Sequence, residues 1–292
     1  MKKRNLSSKD FMKNLSDDRT RSKINKKYKN KSLEDFLDFS DPVSIEEFMG
    51  EDLENLALEN LYIDQTNDFK KFKNLKLLLE ESSSCEISDA LFTLTKNNGV
   101  IDGVKSINNQ IAYGRVATAR TASNDWGTST LAIDDAEKGE VLFIETYSES
   151  DLYKSKKDNS HRKCGFGKPS AIWGELTSRA AKKKGIAGTI ILGYARDIDV
   201  LSNIDYPVFS YGVCPNAGSP LGKGETNLSL DLGYTKINPG DFIFADKSGV
   251  VVVPQDLFQL TMKNLIGIKT YENEIKIALK ENKPFPEILG LR

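Results

Sequence analysis

The stretch Ser170-Ala-Ile-Trp-Gly-Glu-Leu-Thr-Ser-Arg-Ala-Ala-Lys-Lys-Lys-Gly-Ile-Ala-Gly-Thr-Ile-Ile-Leu-Gly-Tyr-Ala-Arg196-Asp197 reads as a helix, a glycine-rich turn and a buried strand. The helix is expected from about Ser170 to Lys184. Leu176, Ala180 and Ala181 give it an apolar stripe, and Lys182–Lys184 fill its last turn, where cations suit the dipole. Gly185 follows as a C-cap. The strand, Thr189–Leu192, is short, apolar and rich in β-branched residues, and it ends at Gly193. Just beyond it stand Arg196 and Asp197, a charged pair after an apolar run. Ligand groups collect at the carboxyl ends of strands in α/β folds.

These parts suit one kind of chemistry. The helix start at Gly174–Thr177 offers backbone N–H groups and a positive dipole end to a carboxylate. A guanidinium grips a carboxylate bidentately. An Asp or Glu beside it holds a hard divalent cation through oxygen. Together they would make a Mg²⁺-assisted site for a small 2-oxo acid. The alternative is that Arg196 and Asp197 form a local salt bridge. A phosphate loop is excluded at Gly165-Phe166-Gly167-Lys168-Pro169-Ser170. The first glycine of that motif is replaced by Arg162, and Pro169 stands where Ser or Thr must follow the lysine. A dinucleotide fingerprint lacks its third glycine and its preceding strand.

Outward from this block, short apolar runs alternate with Gly and Asp turns from about residue 83. Strands are expected at Ile111–Thr121, Val141–Glu145, Val208–Tyr211, Phe242–Ala245 and Val250–Val253. The tail from Asp256 to about Lys280 is expected to be helical. The body is thus a mixed α/β domain of roughly 190 residues, richer in strands than a doubly wound fold. Before it, residues 33–81 have leucines and phenylalanines near helical spacing, with Ser44 and Glu47 as a capping box. A second helix is expected over Asp68–Glu81, with Phe69, Phe72, Leu75, Leu78 and Leu79 on one face.

Charge separates the ends of the chain. The 292 residues carry a net formal charge of −1, which excludes a uniformly basic nucleic-acid binder. Residues 1–32 hold 12 Lys/Arg against 3 Asp/Glu, a net of +9, whereas residues 33–64 hold 11 Asp/Glu and no Lys/Arg. The first segment reads as a basic flexible arm, either a tether for a charged partner or a solvated tail. No aromatic or glycine-rich interleaving accompanies its charge, so nucleic acid is not the expected partner.

Cys85, Cys164 and Cys214 are too few and too scattered for a disulfide framework or a zinc site, which fits a reducing, cytoplasmic compartment. The single histidine, His161, lies in a polar stretch and reads as a surface residue. A Ser-His-Asp triad would have to use it. No apolar run is long enough for a membrane span, and Met-Lys-Lys-Arg at the start leads into no signal-peptide core.

The sequence resembles the family of the regulator of ribonuclease E activity A, the RraA-like proteins. That family includes class II aldolases acting on 4-hydroxy-4-methyl-2-oxoglutarate and 4-carboxy-4-hydroxy-2-oxoadipate. The resemblance runs over about 170 residues, from Cys85-Glu-Ile-Ser-Asp-Ala-Leu91 to Pro254. It includes Lys138-Gly-Glu-Val-Leu142, the block from Trp173-Gly-Glu to Arg196-Asp197, Pro207-Val-Phe209, Pro239-Gly-Asp241 and Asp246-Lys-Ser-Gly-Val-Val-Val-Val-Pro254.

The resemblance implies an α/β fold, the RraA-like swivelling β/β/α domain; the first 80 residues lie outside it and read as an added N-terminal helical, partly disordered arm. Charge and spacing before the resemblance, and the resemblance itself, divide the chain into a basic arm over 1–32, an acidic helical extension over 33–82, and the RraA-like domain with its C-terminal helix over 83–292. The resemblance alone covers the last of these. It implies a homotrimer or hexamer with sites near subunit interfaces. By resemblance Arg196 binds the substrate carboxylate and Asp197 ligates Mg²⁺ or Mn²⁺. Glu175 would support the metal through water, and the backbone of Gly174, Glu175, Leu176 and Thr177 would cradle the substrate. The implied reaction is retro-aldol cleavage or decarboxylation of a 2-oxo acid, with a protein-binding regulator of an RNA-processing enzyme as the alternative. Two features depart from the aldolase pattern. The motif Arg-Asp-x-x-Glu/Asp reads Arg196-Asp197-Ile198-Asp199-Val200 here, and Tyr147–Phe166 is a polar insertion. The ribonuclease-regulating members depart at the Asp of the pair, which is intact here.

Overall fold

The computed structural model describes residues 75–147 and 170–291. The arm over 1–32, the helical stretch up to residue 74, the Ser44–Glu47 box and the insertion after Tyr147 with His161 and Cys164 lie outside the described residues.

The described chain divides into two compact units. Helix α1 (Leu75–Glu80) buries Leu75, Leu78 and Leu79, the last part of the apolar face expected over Asp68–Glu81. Helix α2 (Ser84–Thr95) follows. Next come β1 (Val100–Ile101), β2 (Lys105–Ser106), β3 (Ala112–Ala122), α3 (Gly127–Asp135) and β4 (Val141–Tyr147). After the insertion come β5 (Ala171–Trp173), α4 (Glu175–Lys184), β6 (Gly188–Ala195), α5 (Ile198–Leu201) and β7 (Val208–Val213). The body ends with β8 (Glu225–Thr226), β9 (Leu230–Asp231), β10 (Lys236–Ile237), β11 (Phe242–Ala245) and β12 (Val250–Val253). Helices α6 (Phe258–Lys280) and α7 (Phe285–Ile288) close the chain. All the strands lie in the larger unit, and α6 belongs to the smaller one from Gln259 onward.

The sheet runs in the order β1-β12-β11-β3-β4-β6-β7-β2, with β5 added beside β6 and β8 beside β3. Its centre is parallel: β3 pairs with β4, β4 with β6, and β6 with both β5 and β7. Successive strand residues point to opposite faces, so a strand covered on both sides is apolar throughout. In β4, Val141 and Phe143 join one buried cluster with Ile190, Phe209 and Val252, while Leu142 and Ile144 join another with Ala132, Trp173 and Ala181.

The strands Phe242–Ala245 and Val250–Val253 match the sequence reading. The central strand after α4 is longer than expected and runs through Gly193 to Ala195, so Arg196 and Asp197 follow it directly. The expected helix needs two corrections. It begins at Glu175, because Ala171–Trp173 is a buried strand paired with β6. Its buried face is Ser178 and Ala181, whereas Leu176 is 81% exposed and Ala180 is also exposed. The cause is Trp173, whose indole N–H donates to Ser178 Oγ at 2.7 Å and turns that face inward. Gly185 caps the helix as expected, with φ at 86° in the left-handed region.

One buried carboxylate ties the loops above the sheet together. Asp125, 1% exposed, sits between β3 and α3. Its Oδ1 accepts the N–H groups of Gly127, Leu221 and Gly222, all at 2.9 Å. Its Oδ2 accepts the Lys223 N–H and the Thr128 hydroxyl at 2.9 Å and the Thr121 hydroxyl at 3.2 Å. Burial pushes the carboxyl up, but the donors, led by the Lys223 and Gly222 N–H groups, outweigh burial and bring it down to about 2. The folded value is below the unfolded one, so ionised Asp125 contributes stability above about pH 4 that is lost as pH falls toward 2. The contribution is about 2 kcal/mol. Urea titrations at pH 5 and pH 2 are expected to show a loss about 2 kcal/mol larger in the wild type than in Asp125→Asn.

Candidate active site

The Arg196-Asp197 pair and the start of α4 meet at the end of the parallel sheet. The Arg196 N–H donates to the Trp173 carbonyl at 2.9 Å, which continues the β5–β6 ladder. That bond sets Gly174 beside the pair. A Cβ on Gly174 would lie 2.7 Å from Asp197 Oδ2 and 2.9 Å from Arg196 Cγ, so only glycine allows this approach. The Glu175 N–H then donates to Asp197 Oδ2 at 3.1 Å, and Arg196 Nε donates to Asp197 Oδ1 at 3.1 Å. The local salt bridge and the approach to the helix start therefore coexist in one arrangement.

Gly174→Ala is expected to push Asp197 and Arg196 apart from the helix start and to break the Glu175 N–H bond to Asp197, so that the Glu175 amide exchanges about tenfold faster. Hydrogen exchange beside a circular-dichroism spectrum checks it, the spectrum being expected to stay that of the wild type.

Asp197 carries backbone strain. Its φ of 59° and ψ of 43° lie in the left-handed region, where a side chain with Cβ is uncommon and Asp and Asn are best tolerated. The residue is the N-cap of α5 and accepts the Leu201 N–H on its carbonyl at 3.0 Å. Strain of this kind persists where surrounding bonds over-determine it and clusters at functional sites. Partial burial raises the Asp197 carboxyl, but the Glu175 N–H and the Arg196 guanidinium outweigh it and hold it below the ordinary value. It is an anion at neutral pH.

The remaining sequence-predicted residues fall in distinct places. Arg196 is 41% exposed, and its terminal Nη groups make no hydrogen bond among the described residues. Thr177 closes the first turn: the Gly174 N–H donates to its Oγ1 at 2.9 Å, and the hydroxyl donates to the Gly174 carbonyl at 3.0 Å. Glu175 brings its backbone to Asp197 but turns its carboxylate to Arg179 Nε at 2.8 Å, an i,i+4 pair on the helix surface. Asp199 is exposed on α5, and its carboxylate makes no hydrogen bond or ion pair among the described residues. A cavity of about 330 Å³ in the smaller unit, among Tyr271, Ile275, Ala278 and Ile288, holds none of these residues.

The donor set limits what cation could bind. Among the described residues no three His, Cys, Asp or Glu side chains come together as a metal-holding group. Among the described residues Asp197 is the one carboxylate that bonds both to the start of α4 and to Arg196, its side chain 32% exposed. Each oxygen accepts one hydrogen bond and keeps a lone pair. This fits Mg²⁺ or Mn²⁺, which take one or two carboxylates and fill their shell with water and substrate oxygen. It does not fit a closed all-protein cage such as structural zinc.

The comparisons with known proteins agree with this architecture. The family model described as RraA-like, Aldolase/RraA, matches residues 84–252, more than half of the chain, and the protein belongs to that family. An uncharacterized protein of Methanocaldococcus jannaschii is 31% identical over 193 residues, 65% of this chain and 85% of that protein. A protein of Halalkalibacterium halodurans named as a 4-hydroxy-4-methyl-2-oxoglutarate aldolase is 31% identical over 169 residues, 58% of this chain and 71% of that one. The crystal structure of an uncharacterized protein from Pseudomonas syringae superposes with a TM-score of 0.57 at 25% identity, covering 73% of this chain and 96% of that one. No helix among the described residues is long and apolar enough to cross a membrane.

Proposed function

We propose that the protein is a divalent-metal-dependent lyase acting on a small 2-oxo acid, by retro-aldol cleavage or decarboxylation that gives pyruvate. The reading is carried by one observation: Arg196 and Asp197 leave the end of β6 locked against the start of α4, at Gly174 and Glu175. Relatives named for cleavage of 4-hydroxy-4-methyl-2-oxoglutarate support the substrate class.

In this reading the Nη groups of Arg196 take the substrate carboxylate as a two-pronged donor. The first-turn N–H groups of Leu176 and Thr177, which have no acceptor inside the helix, point the same carboxylate and 2-oxo oxygen inward. Asp197 would hold Mg²⁺ or Mn²⁺, with Glu175 reaching it through water once its carboxylate leaves Arg179. When bound, the cation supplies Lewis-acid polarisation of the 2-oxo group and offsets the negative charge that develops on its oxygen as the carbon–carbon bond breaks. Arg196 fixes substrate orientation, which lowers the entropic part of the barrier. No Schiff-base lysine is required. The lyase body would be residues 83–292, outside the charged segments 1–32 and 33–82. We place the protein in the cytoplasm as a homotrimer or hexamer.

The test is pyruvate release from 4-hydroxy-4-methyl-2-oxoglutarate and from oxaloacetate, with Mg²⁺ and with EDTA. Turnover is expected with the cation, to fall with the chelator and to return on adding Mg²⁺. Turnover that survives EDTA and also survives Asp197→Ala overturns the reading.

A further inference from the structure

The six donors around Asp125 come from three places: the end of β3, the start of α3 and the Leu221–Lys223 backbone nearly a hundred residues later. Successive N–H groups converging on one anion make a nest, and here the anion is the chain's own carboxylate. The segment it holds does not stop there. The Ser219 N–H donates to the Asn124 carbonyl at 2.6 Å, and the Trp126 N–H donates to the Ser219 carbonyl at 3.1 Å. One step earlier, the Gly218 N–H donates to the Ala171 carbonyl at 3.2 Å and the Ala171 N–H to the Asn216 carbonyl at 2.7 Å. Asn216 Nδ2 also donates to Ser170 Oγ at 3.0 Å. Ala171 opens β5, whose last residue, Trp173, accepts the Arg196 N–H and leads into Gly174.

β5 has three residues and only a short ladder to β6, with a register shift inside it. A three-residue strand is at the short end of the usual range and offers few ladder bonds. Its other edge is held by Asn216 and Gly218. We infer that Asp125 is a positioning residue for the Gly174–Asp197 site: through the 216–223 segment it fixes β5, and through β5 it fixes where Gly174 meets Arg196 and Asp197. This rests on the reading of that cluster as the active site.

Hydrogen exchange on the full chain without substrate tests the link apart from activity. Two variants are used, because Asp125→Asn puts an amide N–H₂ among donors and risks unfolding. The second is Thr128→Val, which removes the hydroxyl that donates to Asp125 Oδ2 and accepts the Gly224 N–H at 2.8 Å. Thr128→Ser keeps that hydroxyl. In Thr128→Val the Leu221–Lys223 amides are expected to exchange about tenfold faster, and the Ala171, Glu175 and Arg196 amides at least about threefold faster. Ile190–Leu192 in the middle of β6 should stay at the wild-type rate, and Thr128→Ser should restore every rate. Acceleration confined to Leu221–Lys223 overturns the inference, and so does equal acceleration at Ile190–Leu192, which would be a general loss of stability. A wild type that releases no pyruvate refutes the lyase reading and leaves this exchange pattern to decide the link.

Discussion

Asp197→Asn is expected to lower pyruvate release about a thousandfold while leaving the fold intact. Asn tolerates the left-handed backbone that Asp197 adopts, so α5 keeps its N-cap geometry. The side chain keeps its size, and one oxygen still accepts from Glu175 N–H or Arg196 Nε. What disappears is the negative charge and one acceptor, so an N–H₂ faces a donor. If Asp197 holds a hard cation as proposed, its loss would remove several kcal/mol of charge stabilisation, and each 1.36 kcal/mol is a factor of ten. A turnover number within tenfold of the wild type would remove Asp197 from the chemistry. A melting temperature within a few degrees of the wild type establishes that the loss is local.

Trp173→Ala is expected to cost about 4 kcal/mol of stability. The indole is 1% exposed and lies in the cluster with Ile144, Ala181, Ile191 and Leu201. Truncation opens a cavity that a sheet and a helix on either side close only in part. It also strips Ser178 Oγ, 0% exposed, of the N–H that donates to it. The urea midpoint measures the effect, and Trp173→Phe separates its parts. Phe keeps most of the buried area but not the hydrogen bond, and should cost about 1–2 kcal/mol. Against a total of 5–15 kcal/mol, the alanine change leaves the domain marginal. A cost below 1 kcal/mol would mean that β5 is not packed as described.

Much of this was legible in the chain, and the failures have physical reasons. Val250–Val253 and Phe242–Ala245 are short β-branched or aromatic runs between turns, and their pattern and structure coincide. Lys182–Lys184 followed by Gly185 marks a helix end by charge and by the left-handed residue. Ala171–Trp173 failed because a three-residue apolar run has no period, and adjacency to β6 decides it. Helix α2 was missed although Ser83-x-x-Glu86 is a capping box: the Ser83 N–H donates to Glu86 Oε2 at 2.8 Å and the Glu86 N–H to Ser83 Oγ at 3.2 Å. Helix α3, with Gly127, Thr128 and Thr130, has weak helix propensity and is set by its packing and by Asp125.

In the site, Arg196 and Asp197 were legible as a charged pair after a strand. Gly174 was legible as a helix start, but its second role, leaving room for Asp197, needs the 23-residue separation closed in space. The role of Asp125 was invisible, because its partners at Leu221–Lys223 are backbone groups with no sequence signature.

The anchoring of β5 on both edges bears on what the connection before it can tolerate. The chain leaves the sheet at Tyr147 and returns at Ser170, and the returning strand is fastened at once by β6 on one edge and by Asn216 and Gly218 on the other. Doubling the length of a connection costs only about 0.6 kcal/mol of closure entropy. The length of chain between those two points can therefore change over evolutionary time at little cost in closure entropy, while β5 returns to the same two anchors. Were Gly174, Arg196 and Asp197 the reacting centre, as proposed, that connection could drift in length while the centre kept its geometry.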